Sequence, residues 1–184
     1  ESMHEAVQRE SKAARDSAGI LDASTLGKID IQGTDASEFL NRVYTNAWSK
    51  LAIGKCRYGL MLNEDGMVYD DGVTTRLDEN HYIMTTTTGG AATVLSKLED
   101  YLQTEWPELD VYLTSVTDHY ATISVCGPNS KKIISKLITN VDFSDENFPH
   151  MSFKNANIGK INCRIMRISF TGEHSYEINI QANY

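Results

Sequence analysis

The sequence predicts an α+β protein in which strands and helices follow one another in mixed order. Apolar residues recur every second position in several short segments, which is the pattern of a strand, and every three or four positions in others, which is the pattern of a helix. Turn signals join neighbouring strand segments directly, as in antiparallel hairpins. These observations favour antiparallel sheet packed on helices.

The amino-terminal third begins with helix and strand patterns. Residues 4–18 predict an amphipathic helix, and residues 26–33 alternate as a strand. Asp35 and Glu38 stand three residues apart ahead of an apolar stretch, which resembles a capping box for a short helix. Two strands over 55–62 and 67–77 follow.

A hairpin is the strongest local signal in the chain. Asp65–Gly66 lies between the strands at 55–62 and 67–77, and this dipeptide is typical of a tight hairpin turn. A third strand follows over 81–87. The remaining predicted elements are a helix over 91–103, strands over 109–116 and 120–125, a helix over 130–138, and strands over 161–170 and 176–180.

Composition excludes several classes of function. The 184 residues are 41% hydrophobic and 23% charged with a net charge of −8, and no basic run is present, so we expect no nucleic-acid partner. No apolar run approaches the roughly 20 residues that span a bilayer, so we expect no membrane association. Three dispersed cysteines and five dispersed histidines lack metal-ligand spacing, which predicts no metal site and a cytoplasmic protein.

The second hairpin strand carries the first candidate residues. Neighbouring strand residues point to opposite faces, so Asp70 and Asp71 cannot form a facing pair. The face of Asp71 is the more apolar and Tyr58 shares it, so we expect both on the core side of the sheet. A buried carboxylate needs a partner or a function. The ordinary interpretation is that Asp71 caps a turn or pairs with an arginine.

Glu177 is the second candidate. It falls on the polar face of the last strand with Ser175 and Asn179, so the ordinary interpretation is a solvated strand carboxylate. If that face lines a cavity, the carboxylate can accept two hydrogen bonds from an amino-heterocycle. The chain ends directly after this strand, and we therefore expect it to be a fragment of a longer polypeptide.

Several motifs resemble the glycine-cleavage T-protein (aminomethyltransferase) family. They are DAS at 22–24, YGLMLN at 58–63, DG at 65–66, DD at 70–71, TGE at 171–173 and EI at 177–178. Within the family, residues 19–28 and 104–111 resemble the sarcosine oxidase α-subunit branch. Met67 and Gly72, where T-proteins usually have glycine and leucine, favour the same branch.

The resemblance implies a fold and a set of site residues. The family fold is a ring of α+β modules around a funnel that holds tetrahydrofolate, and residues 1–184 would be its N-terminal part, without the C-terminal β-barrel. Asp71 matches the catalytic aspartate, Tyr58 a tyrosine that packs beside folate, and Glu177 the glutamate that clamps the pterin. Thr86, at the end of the third hairpin strand, is a further candidate for folate binding.

The resemblance also implies a function. In the sarcosine oxidase branch, tetrahydrofolate traps the imine from sarcosine oxidation, giving 5,10-methylenetetrahydrofolate and glycine. FAD, FMN and NAD are expected elsewhere in the full enzyme, and other sarcosine oxidase subunits are expected partners. One alternative is a stand-alone aminomethyltransferase that uses a lipoyl carrier. Another is a non-catalytic folate-binding or assembly module.

Overall fold

The computed structural model describes residues 1–184, which form two compact units. The first unit contains Glu1–Ser24 and His119–Tyr184, and the second contains Thr25–Asp118. The helices are α1 (Met3–Asp16), α2 (Ala36–Val43), α3 (Ala91–Asp100) and α4 (Ser130–Leu137). The strands are β1 (Gly19–Asp22), β2 (Gly27–Gln32), β3 (Cys56–Leu62), β4 (Val68–Asp78), β5 (His81–Thr86), β6 (Tyr112–Ser115), β7 (Tyr120–Cys126), β8 (Ser152–Ile158), β9 (Ile161–Arg167) and β10 (Ser175–Gln181).

The first unit is built on an antiparallel sheet in the order β1-β7-β10-β9-β8. One face of this sheet packs on α4 through a cluster of aliphatic and aromatic side chains that includes Ile134, Phe148, Ile165 and Tyr176. Apolar burial of this kind is the main source of stability for such a layer. The cluster positions β10, the strand that carries Glu177.

The second unit is built on an antiparallel sheet in the order β3-β4-β5-β2-β6. Its core joins β2 and β5 to α2 and α3, with Ile31, Phe39, Trp48 and Leu98 fully buried. The β3–β4 hairpin stands at one end of this sheet, since β3 is an edge strand.

The predicted fold class is confirmed, while two strands were missed. β1 has four residues and β8 is polar, so neither shows the alternation that reveals a strand. Both are edge strands of the first sheet and need only one partner. The helix predicted over 91–103 ends earlier as an α-helix, and a π-helical turn over Tyr101–Glu105 continues it.

The predicted capping box at Asp35 is wrong. The side chain of Asp35 makes no capping hydrogen bond, because its Oδ2 accepts from the backbone N–H of Asp110 at 2.9 Å. The capping box of this chain is at α1, where Ser2 Oγ accepts from the N–H of Glu5 and the Glu5 carboxylate accepts from the N–H of Ser2.

None of the helices combines the length and the apolar character that are needed to span a membrane.

Candidate functional site

The β3–β4 hairpin brings Tyr58 and Asp71 together on one face. Leu60 is paired with Asp71 and Tyr58 with Val73, so Tyr58 and Asp71 are diagonal neighbours across the two strands. The hydroxyl of Tyr58 donates to Asp71 Oδ2 at 2.8 Å. The shared face predicted from the two-residue period is therefore confirmed, and this hydrogen bond fixes the orientation of the carboxylate.

The prediction that this face belongs to the core is wrong. Tyr58 is 49% exposed, Leu62 is 36% exposed and Asp71 is half-buried. The buried face of the hairpin is the opposite one, which carries Met61 and Asp70. The apolar face is therefore open, and an open apolar strand face is a common mark of a binding surface.

Two aromatic rings explain why the faces are reversed. Tyr44 and Trp48 are buried against the hairpin, with their ring centroids 5.1 Å apart. A Cβ atom on Gly59 would lie 2.8 Å from an atom of each ring. The rings thus occupy the space that large side chains of β3 would need, so the larger apolar side chains of this strand are left on the other face.

Asp70 has a structural role on the buried face. It is 4% exposed and accepts hydrogen bonds from the Thr87 hydroxyl at 2.6 Å and the Thr87 N–H at 3.4 Å. Burial raises the pKa of Asp70, and the two hydrogen bonds from Thr87 oppose that rise. The capping role considered for Asp71 is therefore filled by its neighbour, which ties β4 to the loop before α3.

The open face combines an aromatic ring, a neutral donor and an acceptor. The Asp71 carboxylate, which accepts a hydrogen bond from the phenol, raises the pKa of Tyr58, so the hydroxyl stays protonated across the neutral range. Tyr58 donates to one carboxylate oxygen of Asp71, and the other oxygen is available to a ligand. A positioned carboxylate of this kind can accept a proton or stabilise a developing cation on a ligand above the face.

Thr86 lies in the same unit and is buried rather than open. It is 2% exposed, it pairs with Gly27, and its hydroxyl donates to the Thr87 carbonyl at 3.0 Å. A Cβ atom on Gly27 would lie 2.0 Å from Thr86 Oγ1, so the hydroxyl fills the space above that glycine. Folate binding by Thr86 stays a prediction.

Glu177 lies in the first unit, on β10 between β7 and β9. Its cross-strand partners are Ser124 and Met166, and it is half-buried. The expectation of a solvated polar face is wrong, because Ser175 and Asn179 on the same face are 4% and 2% exposed. A carboxylate among buried polar groups is held in place, as the pterin-clamping role requires, but that role stays a prediction.

A turn over residues 169–174 carries an aromatic ring that sequence reasoning did not single out. Arg15 fixes this turn by donating to the Thr171 carbonyl at 2.8 Å and to Glu173 Oε1 at 2.6 Å. The ring of Phe170 is 97% exposed. Phe170 lies beyond the end of β9 and directly before the Thr-Gly-Glu turn. An aromatic residue at such a position in the sequence is the signal that could have identified this exposed ring.

No group of three or more histidine, cysteine, aspartate and glutamate side chains has an arrangement that could hold a metal ion. The candidate residues of the two units are thus carboxylates, a phenol and a threonine hydroxyl. Their chemistry is proton transfer, hydrogen bonding and charge stabilisation.

The GCVT N-terminal domain profile matches residues 1–184. This chain belongs to the GCVT N-terminal domain family. It is 58% identical to the sarcosine oxidase subunit alpha of Corynebacterium sp. (strain U-96), over 99% of this chain and 19% of the relative. It is 32% identical to an aminomethyltransferase of Listeria monocytogenes serotype 4a, over 94% of this chain and 46% of that protein. The chain thus spans about a fifth of the length of its sarcosine oxidase relative.

Two solved structures share the fold. The aminomethyltransferase T of the glycine cleavage system from Bartonella henselae superposes with a TM-score of 0.81 at 24% identity, over 96% of this chain and 45% of that chain. A chain of the heterotetrameric sarcosine oxidase from Corynebacterium sp. U-96, in complex with pyrrole 2-carboxylate, superposes with a TM-score of 0.64 at 14% identity. The match covers 98% of this chain and 85% of that chain. The family predicted from the motifs is confirmed, and so is the aminomethyltransferase fold.

Proposed function

We propose that this GCVT domain is the folate-dependent one-carbon transfer part of a sarcosine oxidase α subunit. The observation that carries the proposal is the Tyr58–Asp71 pair, since it places an oriented carboxylate on an open, partly aromatic face. The identity of 58% to a sarcosine oxidase subunit alpha, against 32% to an aminomethyltransferase, favours this reaction over a lipoyl-dependent one.

In the reaction proposed for the domain, the imine carbon of oxidised sarcosine is transferred to tetrahydrofolate. Tetrahydrofolate supplies two nucleophilic nitrogens, N5 and N10. The imine carbon of oxidised sarcosine forms bonds to both, its bond to the amine nitrogen breaks, and glycine leaves. The two protons lost from N5 and N10 are taken up by the amine of glycine. Without folate, hydrolysis of the imine would release formaldehyde instead.

Asp71 is the residue proposed to move these protons. Its free oxygen would accept a proton from a folate nitrogen and return it to the departing amine, or would hold the positive charge that develops between the two steps. The Tyr58 hydroxyl fixes the carboxylate through the 2.8 Å hydrogen bond, so its orientation is set before the ligand arrives. The half-exposed ring of Tyr58 offers a surface for the folate to pack against.

Glu177 and Thr86 are proposed to bind folate. The Glu177 carboxylate would accept two hydrogen bonds from the amino edge of the pterin, and Thr86 would contribute at the end of β5. The flavins FAD and FMN and the dinucleotide NAD are proposed to bind outside this domain. The proposed partners are tetrahydrofolate, the sarcosine-derived imine and the other sarcosine oxidase subunits.

The test is the product distribution of the full-length enzyme complex with the substitution Asp71→Asn. We expect the yield of 5,10-methylenetetrahydrofolate to fall by about 10²-fold or more, because the amide cannot carry the proton, while sarcosine consumption continues and formaldehyde rises. Asp100→Asn, on an exposed position of α3, is the matched control and should leave the yield unchanged.

The same variant separates catalysis from binding. Calorimetry with tetrahydrofolate should detect binding to the Asp71→Asn complex, since the amide keeps the size of the side chain. An unchanged yield of the methylene product would contradict the catalytic role. If folate binding were also unchanged, the non-catalytic folate-binding module would be the correct interpretation.

A further inference from the structure

The antiparallel pairing of β4 with β5 ends just short of Asp71. The last pair at this end joins Thr74 to Met84. In a regular antiparallel ladder the next pair would be Val73 with Thr85, but the pairing of the two strands does not include it. A different contact must therefore hold the part of β4 that carries Asp71 against β5.

The hydroxyl of Thr85 makes that contact. It accepts from the Val73 N–H at 3.0 Å and donates to the Val73 carbonyl at 2.9 Å. One side-chain oxygen thus satisfies both backbone groups that a regular ladder would pair with the backbone of Thr85. Serine and threonine are the short side chains whose single oxygen can accept and donate at once, so the residue type at this position matters.

Gly72 completes this junction between the strands. A Cβ atom there would lie 1.9 Å from the Thr85 carbonyl oxygen and 3.3 Å from the Thr85 hydroxyl. The Thr85 carbonyl therefore lies against the Gly72 backbone, while the N–H of Val73 goes to the hydroxyl. The two strands stay in contact here, but the backbone ladder between them is interrupted.

The interruption changes which aspartate Thr87 contacts. In a continued register Thr87 would stand opposite Asp71 and on the same face of the sheet, since directly opposed strand residues point to one side. Its hydroxyl would then be a second donor to the carboxylate that Tyr58 contacts. In the structure the Thr87 hydroxyl instead donates to Asp70 on the buried face, at 2.6 Å. Asp71 keeps Tyr58 as its one side-chain donor.

We infer that Thr85 is a positioning residue for Asp71: its hydroxyl ends the β4–β5 ladder at Val73 and so keeps the second carboxylate oxygen of Asp71 free to meet a folate nitrogen. Thr85 acts through the backbone of Val73, which follows Asp71 by two residues and shares its face of β4. This inference rests on the proposed function, because a free oxygen on Asp71 matters to the reaction only if Asp71 moves protons.

The test compares Thr85→Val with Thr85→Ser in the full-length enzyme complex. Valine keeps the shape of threonine but replaces the hydroxyl by a methyl group, which leaves the N–H and carbonyl of Val73 without their partner. We expect the yield of 5,10-methylenetetrahydrofolate per sarcosine consumed to fall about tenfold, because Asp71 is no longer held in the productive orientation. The KM for tetrahydrofolate should change by less than about twofold, since no contact with folate is removed.

Two further variants control this comparison. Thr85→Ser keeps the hydroxyl and should restore most of the yield. Thr114→Val makes the same change of residue type at an exposed position of β6 in the same sheet, and it should leave the yield unchanged.

The titration of Tyr58 gives a readout that depends on neither folate nor turnover. If Asp71 reorients or gains a second donor in Thr85→Val, its hydrogen bond from Tyr58 weakens. Since that hydrogen bond raises the pKa of Tyr58, the phenol should then titrate at lower pH, as followed by tyrosinate absorbance with Tyr58→Phe in the same background as the reference. A hydroxyl that only stabilised the fold would lower the unfolding midpoint without moving this titration.

The outcomes separate the role of Thr85 from the proposed function. If Thr85→Val does not fold, Thr85→Ala removes the hydroxyl without crowding Val73 and should give the same changes. The role of Thr85 is overturned if the folded variant keeps the wild-type yield, if the Tyr58 titration does not move, or if serine fails to restore both. An unchanged yield in Asp71→Asn would contradict the proposed function itself, whereas a yield lowered by Asp71→Asn but not by Thr85→Val would contradict the role of Thr85 alone.

Discussion

The two faces of strand β4 give neighbouring aspartates different surroundings and different roles. Asp70 is on the buried face, where it accepts both hydrogen bonds from Thr87 and holds the loop before α3. Asp71, one residue later, is on the open face with only Tyr58 as its donor. The same side chain thus stabilises the fold on one face and is available to a ligand on the other. The role of each aspartate is therefore determined by its position relative to the packed layer of helices and sheet, rather than by its sequence motif.

The largest expected effect comes from crowding the buried face. Gly72 follows the aspartate pair, and a Cβ atom there would lie 1.9 Å from the Thr85 carbonyl oxygen, which is backbone and cannot move aside. We expect Gly72→Ala to lower the free energy of unfolding by at least about 3 kcal/mol. Val73→Ala, the next residue and half-buried, should cost about 1 kcal/mol. Urea unfolding followed by circular dichroism gives both values, and equal costs would contradict the assignment of the faces.

A smaller effect is expected from removing each aspartate in turn. Asp70→Ala leaves the N–H and hydroxyl of Thr87 without their acceptor, so unfolding should become easier by about 2 kcal/mol. Asp71→Ala loses one hydrogen bond at a half-exposed site and should change stability by no more than about 0.5 kcal/mol. Denaturant midpoints of the two variants check this difference. A larger loss for Asp71→Ala than for Asp70→Ala would reverse the roles proposed here.

The smallest effect is a change in the titration of one phenol. The Asp71 carboxylate raises the pKa of Tyr58, so the stabilisation from this hydrogen bond is fully present below the ordinary tyrosine pKa of about 10 and is lost as the pH rises through the folded value. We expect Asp71→Asn to move the Tyr58 titration to lower pH, as followed by tyrosinate absorbance with Tyr58→Phe as the reference. A Tyr58 titration that does not move would show that the hydrogen bond is absent in solution.

Local sequence signals predicted the hairpin and the pairing of its side chains. Asp65–Gly66 determines the turn, and the two-residue period then places Tyr58 and Asp71 on one face whatever surrounds them. The prediction of which face is buried was wrong because it depends on Tyr44 and Trp48, whose rings reach the hairpin from outside both strands. No periodicity within β3 or β4 contains that information.

The rest of the candidate site shows the same limit. The buried polar surroundings of Glu177 come from Ser175 and Asn179, which look solvated in a sequence because both are polar. The hydroxyl of Thr86 is enclosed because Gly27, on the neighbouring strand β2 but far away in the sequence, leaves room for it. Burial of polar groups depends on hydrogen-bond partners that tertiary structure supplies, such as the Thr122 hydroxyl that donates to Asn179 at 2.5 Å. Residue type alone therefore misjudges which polar faces are exposed.

The most direct test of the central claim is a crystal structure of the full-length subunit with tetrahydrofolate. We expect the folate to lie on the open face of the β3–β4 hairpin, with Asp71 in hydrogen-bond reach of a folate nitrogen and the Tyr58 ring in contact with the ligand. Asp70 should keep both hydrogen bonds to Thr87. A folate bound elsewhere, with the Asp71 carboxylate facing solvent or another protein segment, would contradict the proposed role of Asp71.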